Sequence, residues 1–229
     1  MAIRLEKGQK INLEKSNGNK LTEFCVGVNW GAIEYQTTES AGFLGLSRKT
    51  VTKSHDVDLD LSCVMYNSNR QICDHLYSPL YKPEILAQFG LSAGKLVSNN
   101  NALKHSGDDL EGDKGGDDGL DNEIISVNLT LLKPEVEQIF FFLNNVGQED
   151  FSQIPYAKIR MYEGTPTKVQ SVYAEYNVVA EPQYRGKRSL IMGKLYKKGG
   201  EWKFNAIGDA FEDSFLGQTI QRITSSYVK

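Results

Sequence analysis

A mainly β chain, folded as an antiparallel β-sandwich with a C-terminal α-helix and short helical turns, is what the sequence predicts, on three observations. Apolar residues alternate with polar ones along several short segments; turn-forming residues separate those segments; and helical periodicity is confined mostly to the end of the chain.

Ile11 and Leu13 alternate in KINLEK, Phe24, Val26, Val28 and Trp30 in FCVGVNW, and Val127, Leu129 and Leu131 in SVNLTLL. Further strands are expected over Val57 to Tyr66, Gln138 to Asn144, Ala157 to Tyr162, Val169 to Val179, Ser189 to Lys197 and Glu201 to Ile207. KKGG supplies a hairpin turn between the last two. Trp30, Trp202 and Phe140 to Phe142 are expected to fill the core. Phe211, Phe215, Leu216, Thr219, Ile220, Ile223 and Tyr227 fall near one helical face, so a terminal amphipathic helix is expected, with Asp213 as its cap. Shorter helical turns are expected at Lys82-Pro83, in KPEILAQFGL, and at Lys133-Pro134. No internal repeat and no Pro/Ser linker interrupts the chain, so residues 1–229 read as one domain.

At 229 residues and 40% hydrophobic content, a globular core is within reach. The start, MAIRLEKGQKINLEK, lacks the apolar stretch of a secretory signal. The longest apolar run, Ile139 to Leu143, is far short of the ~20 residues of a membrane span. The expectation is a cytoplasmic protein without a transmembrane segment. Cys25, Cys63 and Cys73 form an odd set without CxxC spacing, as reduced thiols do.

The net charge of -3 conceals an asymmetry. HSGDDLEGDKGGDDGLDNE, from His105 to Glu123, holds eight acids and one base, and DVDLD, from Asp56 to Asp60, holds three acids; the remainder has 18 acids and 25 bases. Concentrated negative charge marks a local site. In a strand, residues two apart share a face, so Asp56, Asp58 and Asp60 would stand side by side while Val57, Leu59 and Leu61 face the core. Such crowding destabilises a fold unless a positive charge relieves it. The loop glycines, Gly107, Gly112, Gly115, Gly116 and Gly119, allow tight turns that bring carbonyls and carboxylates to one centre. An all-oxygen donor set without clustered His or Cys suits a hard cation, and Ca2+, with six to eight oxygens in flexible geometry, fits better than Mg2+. The acids suffice for two ions. No EF-hand register fits either stretch. A solvated acidic loop without ligand is the bland alternative.

KGQKINL, FCVGVNWGA, DVDLDLS, the acidic loop running into IISVNLTLL, and GKLYKKGGEWKFNAIGDAF together resemble the TerD family of tellurium-resistance and stress proteins, in order and through nearly the whole chain. The resemblance implies a β-sandwich that binds calcium through acidic loops at one edge, acts in bacterial resistance to tellurite and other chemical stress without established catalysis, and has stress-operon protein partners at the inner membrane surface. The family's DxDLD pattern falls on Asp56, Asp58 and Asp60; its GDxxxG start falls on Gly107, Asp108 and Gly112; its closing acids fall on Asp117, Asp118 and Glu123. The chain departs from the usual pattern in Lys114-Gly115-Gly116 before the acid pair and Gly119-Leu120-Asp121-Asn122 after it, which brings in Asp121 as a replacement ligand. Tyr77 to Lys104 is also longer than usual. The full expected ligand set is Asp56, Asp58 and Asp60 from the strand end and Asp108, Asp109, Asp117, Asp118, Asp121 and Glu123 from the loop, with Leu110 and Gly112 as backbone-carbonyl candidates.

Two rivals from other classes are a metal-dependent phosphoryl hydrolase, with His105 as acid or base, and a calcium-dependent membrane or partner-binding module, with Arg185, Lys187 and Arg188 adding affinity. His55, His75 and His105 show no paired metal-ligand spacing, and no nucleophile motif such as GxSxG occurs. Nucleic acid is not an expected partner, because the bases are dispersed and the acidic rim repels phosphate.

Overall fold

The computed structural model describes residues 3, 4, 6–15, 17–41, 47–179 and 182–229. Its strands form two six-stranded sheets and a separate hairpin. The first sheet runs β1 (Ile3–Arg4), β12 (Lys168–Val179), β11 (Tyr156–Thr165), β3 (Glu23–Trp30), β9 (Glu123–Asn128), β8 (Leu103–His105). The second runs β2 (Lys10–Asn12), β14 (Glu201–Phe211), β13 (Ser189–Lys198), β10 (Val136–Asn145), β6 (Leu59–Asn67), β7 (Ile72–Leu76). Pairing is antiparallel throughout except between β1 and β12.

Alternation builds the space between the sheets. Phe24, Val26, Val28 and Trp30 of β3 share one buried cluster with Leu59, Leu61, Cys63 and Met65 of β6 and Ile139, Phe141 and Leu143 of β10. The other faces of β6 and β10 are also apolar, because a helical layer covers them. Val64, Tyr66, Phe140 and Phe142 join Leu86 of α1 (Pro83–Gln88) and Leu216, Ile220 and Ile223 of α2 (Leu216–Ser226) in a second cluster. This is why IFFFL reads as an unbroken apolar run, a pattern expected of a strand buried on both faces. Trp30 is fully buried as expected, whereas Trp202 is only partly buried, with the Lys197 ammonium over its ring.

Three local expectations are corrected. SVNLTLL does not continue as a strand past Asn128: the Asn128 side chain accepts the Thr130 N–H at 3.0 Å, turning Leu129–Leu131 into a 3-10 turn that leaves Leu131 exposed. A side-chain acceptor here outcompetes the ladder for a backbone donor. Asp213 does not cap α2. Gln218 Oε1 accepts the Ser214 and Phe215 N–H groups, while Asp213, nearly buried, receives the Arg222 guanidinium through two hydrogen bonds of 2.6 and 2.9 Å. DVDLD is not a uniform strand face either, since β6 begins only at Leu59. The hairpin of β4 (Ile33–Ala41) and β5 (Ser47–His55) is not among the expected strands; its described side chains are mostly polar and exposed, and none is buried, so they carry no burial signal.

Candidate metal centre

The acidic residues converge where the starts of β6 and β9 meet. At Leu61 the outer edge of β6 is not yet paired with β7, whose ladder starts at Cys63. Two side chains from the opposite sheet take its place: Glu123 Oε2 accepts the Leu61 N–H at 2.6 Å, and His105 Nε2 donates to the Leu61 carbonyl at 2.9 Å. His105 Nδ1 accepts the Gly107 N–H at 3.0 Å, so Nε2 is the nitrogen that carries the donated proton. Both its nitrogens are thereby engaged by backbone groups, and Nε2 also lies 3.5 Å from Glu123 Oε2.

The loop is stitched to the sandwich. Asp113 pairs by backbone with Gly31, accepting from Ala32 N and donating to Trp30 O, each at 2.9 Å. Its carboxylate accepts from Asn29, Asn122, Tyr156 and the Asp118 N–H. Asp109 Oδ1 accepts the Glu111 and Gly112 N–H groups, closing a turn. Trp30 Nε1 donates to Val57 O, and Val57 N to Glu111 O, so the buried indole and the loop together hold Asp56 to Asp58 in place. All five loop glycines adopt positive φ. Gly112 is the demanding one: at φ +72° it lies so close to Trp30 that a Cβ would fall 2.7 Å from the indole. Gly112→Ala should therefore destabilise the fold by about 2 kcal/mol, combining overpacking with a strained backbone, and thermal melting checks it.

Charge divides the acids into three sets. One set has basic partners: Asp56 with Lys114, which also pairs with Glu111; Asp117 with Lys158; and Asp121, whose side chain is buried, with Arg160 at 2.8 Å. Lys158, with the Gly119 N–H, holds the Asp117 carboxyl below its usual range. Asp121 lies over Gly27 on the outer face of β3, where a Cβ at residue 27 would collide with its carboxylate. A second set overlaps the first at Asp117: Asp113, Asp117 and Asp118 place three carboxylate oxygens within 4.8 Å of one another in the loop.

The third set is the unusual one. Asp60, Asp108 and Glu123 likewise offer oxygens within 4.8 Å of one another; Asp60 is 5% exposed and Glu123 is fully buried. Among the described residues no Lys or Arg forms an ion pair with Asp58, Asp60, Asp108 or Glu123; the nearest nitrogen base is His105, whose Nε2 lies 3.5 Å from Glu123 Oε2. Burial, followed by the Glu123, Asp108 and Asp109 charges, pushes the Asp58 carboxyl up to about 6. Burial, then the Glu123 charge, raises Asp60 well above its ordinary value, and burial raises Glu123. Asp58 Oδ1 and Asp108 Oδ1 are buried without a hydrogen-bond partner, while Asp108 Oδ2 accepts from Ser78 at 2.6 Å. Asp109 sits beside this set, its N–H donated to Glu123 Oε1 at 3.1 Å. Leu110 is exposed at the loop's turn.

The structure thus brings oxygens of Asp60, Asp108 and Glu123 together in one cluster, with Asp58 within reach of their charges, and those of Asp113, Asp117 and Asp118 together in another, and it sets Asp56, Asp117 and Asp121 against basic side chains. Asp113 was not among the expected ligands; in sequence it is one acid among eight, and its distinction comes from its bridge to Gly31. The basic trio of YRGKRSL is largely occupied within the fold: Lys187 pairs with Glu212, and Arg188 donates to the Gly147 carbonyl.

A sandwich of two antiparallel sheets, edged by a glycine-rich acidic loop with oxygen-only donor clusters, defines the class of protein. The chain belongs to the TerD family, whose domain matches residues 1–222. It is similar to the stress response protein SCP2 of Bacillus subtilis (strain 168), with 30% identity over 97% of this chain and 99% of that one. It is also similar to the tellurium resistance protein TerZ of Serratia marcescens, with 26% identity over 99% and 97%. A solved structure described as a homologue of telluride resistance protein (TerD) from Streptomyces coelicolor A3(2) shares the fold, with a TM-score of 0.56 at 10% identity over 91% of this chain and 98% of that one.

Proposed function

We propose that the protein is a non-enzymatic, cytoplasmic stress-response component of the tellurite-resistance type that binds Ca2+. The inner centre, Asp58, Asp60, Asp108 and Glu123, takes one ion and the loop centre, Asp113, Asp117 and Asp118, a second, so that about two ions bind in all. The observation that carries this reading is the inner set: buried carboxylates with no basic side chain paired to them, two of their oxygens without partners. Burying like charges without a counter-charge is costly, and a hard divalent cation supplies what the described residues do not. The names of the relatives support the stress-response role. The three thiols, all free, suit a reducing compartment, and among the described residues no helix is long and apolar enough to cross a membrane.

Calorimetric titration of metal-stripped protein tests the reading. Saturable Ca2+ binding, with Mg2+ weaker, is expected, because a set of protein carboxylates suits the larger and more flexible coordination shell. A flat Ca2+ isotherm would sink it.

A further inference from the structure

The opposite end of the second sheet carries the reverse electrostatic situation. Gln138 and Asn144 lie six residues apart on β10, so this end is about 20 Å from the point where Asn144 pairs with Asp60. A concavity of about 310 Å³ lies here, lined by Lys194, Lys197 and Lys229, one acid, Glu137, and Ser68 and Gln138 among others. Lys194, on β13, projects from the face where Phe140 lies, and its ammonium stands 4.9 Å from that ring's centre. It donates to two neutral acceptors, Gln138 Oε1 at 2.7 Å and Tyr227 O at 3.1 Å, just past the end of α2. Among the described residues it makes no ion pair with a carboxylate. Its neighbours in charge are Lys229 and Lys10, both cations, and burial together with these two depresses its pKa to about 8. Lys197, on the same wall, is already balanced by Glu137 at 3.1 Å.

A helix-capping lysine explains the bond to Tyr227 O, since cations favour helix C-termini. It does not explain why a half-buried ammonium lies in the field of two further lysines, one of which, Lys229, lines the same concavity. An ammonium has three N–H donors, and the two neutral acceptors account for two of them. The remaining donor, the added charge of Lys229 and Lys10, and the hydroxyl of Ser68 on the wall suit one kind of guest.

We propose that this concavity binds a small divalent oxyanion, with Lys194 as its principal contact and Lys229 and Lys10 supplying field. The guest neutralises a crowded positive site in the same way that a cation neutralises the acidic centre, and the two sites are chemically independent.

The test uses the full-length chain, stripped of calcium so that phosphate stays in solution, titrated calorimetrically with inorganic phosphate and separately with tellurite, at constant ionic strength in chloride. Saturable binding is expected. Lys194→Met should weaken it by about tenfold to a hundredfold, the loss typical of a charge-assisted hydrogen bond. Lys104→Met, an exposed position on β8 with the same change in charge, should leave it within about twofold. Should Lys194→Met fail to fold, Lys229→Met, at an exposed position, should still weaken binding severalfold. A preference for phosphate or for tellurite identifies the source of the guest and supports the class. Absence of saturable binding, or equal weakening in the Lys194 and Lys104 variants, overturns the proposal.

Discussion

Millimolar Ca2+ should raise the melting temperature of the metal-stripped protein by about 5–10 °C. A ligand that binds only the native state, present at about a hundredfold over its Kd, adds ~2.7 kcal/mol, and a chain of this size gains roughly 2–4 °C per kcal/mol. The gain is expected because the ligands come from parts of the chain that only folding unites: Asp58 and Asp60 from the entry to β6, Asp108 from the loop and Glu123 from the start of β9. An unfolded chain presents no such set. Asp108→Ala should abolish most of the rise at little cost to the metal-free fold, since Asp108 contributes one hydrogen bond, from Ser78, and one buried oxygen without a partner. Differential scanning calorimetry with and without Ca2+ measures both. A wild-type curve indifferent to calcium, or an Asp108→Ala curve that still shifts in full, would contradict the placement of the ion.

What could be read from the sequence and what could not follow from the range of the interactions involved. Alternation in FCVGVNW and DVDLDLS reports which side chains face the space between the sheets, so the sandwich and its core were legible, although the residues between them are largely buried as well. Helical periodicity likewise placed α2, although its cap depended on which acceptor reached the Phe215 N–H, Asp213 or Gln218, and Arg222 decided that by capturing Asp213. The acids were legible as a group but not as separate sets. Asp58 and Asp121 look alike along the chain; what distinguishes them is that Arg160 on β11 reaches one and no Lys or Arg pairs with the other. Such partners lie 39 residues away in the case of Asp121, beyond any local pattern. The β4–β5 hairpin was invisible for a different reason: a ribbon exposed on both faces has no hydrophobic period, and only its cross-strand ladder, from Ile33↔His55 onward, identifies it.

Asp60→Asn should act with opposite signs on the two forms of the protein, stabilising the metal-free fold by about 1–2 kcal/mol at pH 7.5 while abolishing most of the response to calcium. Asp60 is buried beside Glu123, and both burial and that neighbour raise its pKa. An amide of the same shape removes the charge that the metal-free fold must otherwise bury, and with it a ligand that the ion needs. The same reasoning fixes the pH dependence. The carboxyls of Asp58, Asp60 and Glu123 all have folded-state values raised above their unfolded ones, so the native state binds protons more tightly than the unfolded chain. Their contribution to stability is then fully present below the unfolded value of ~4 and is lost as pH rises through the folded one, about 6 for Asp58. Metal-free wild type should accordingly melt higher at pH 5 than at pH 7.5, and Asp60→Asn should flatten that slope. With calcium bound the slope should reverse, because protons now compete with the ion for the same oxygens. Melting curves across this range, with and without calcium, test all three slopes together; a metal-free protein that loses stability between pH 7.5 and 5 would show that the inner carboxylates are already neutralised by some group of the chain itself.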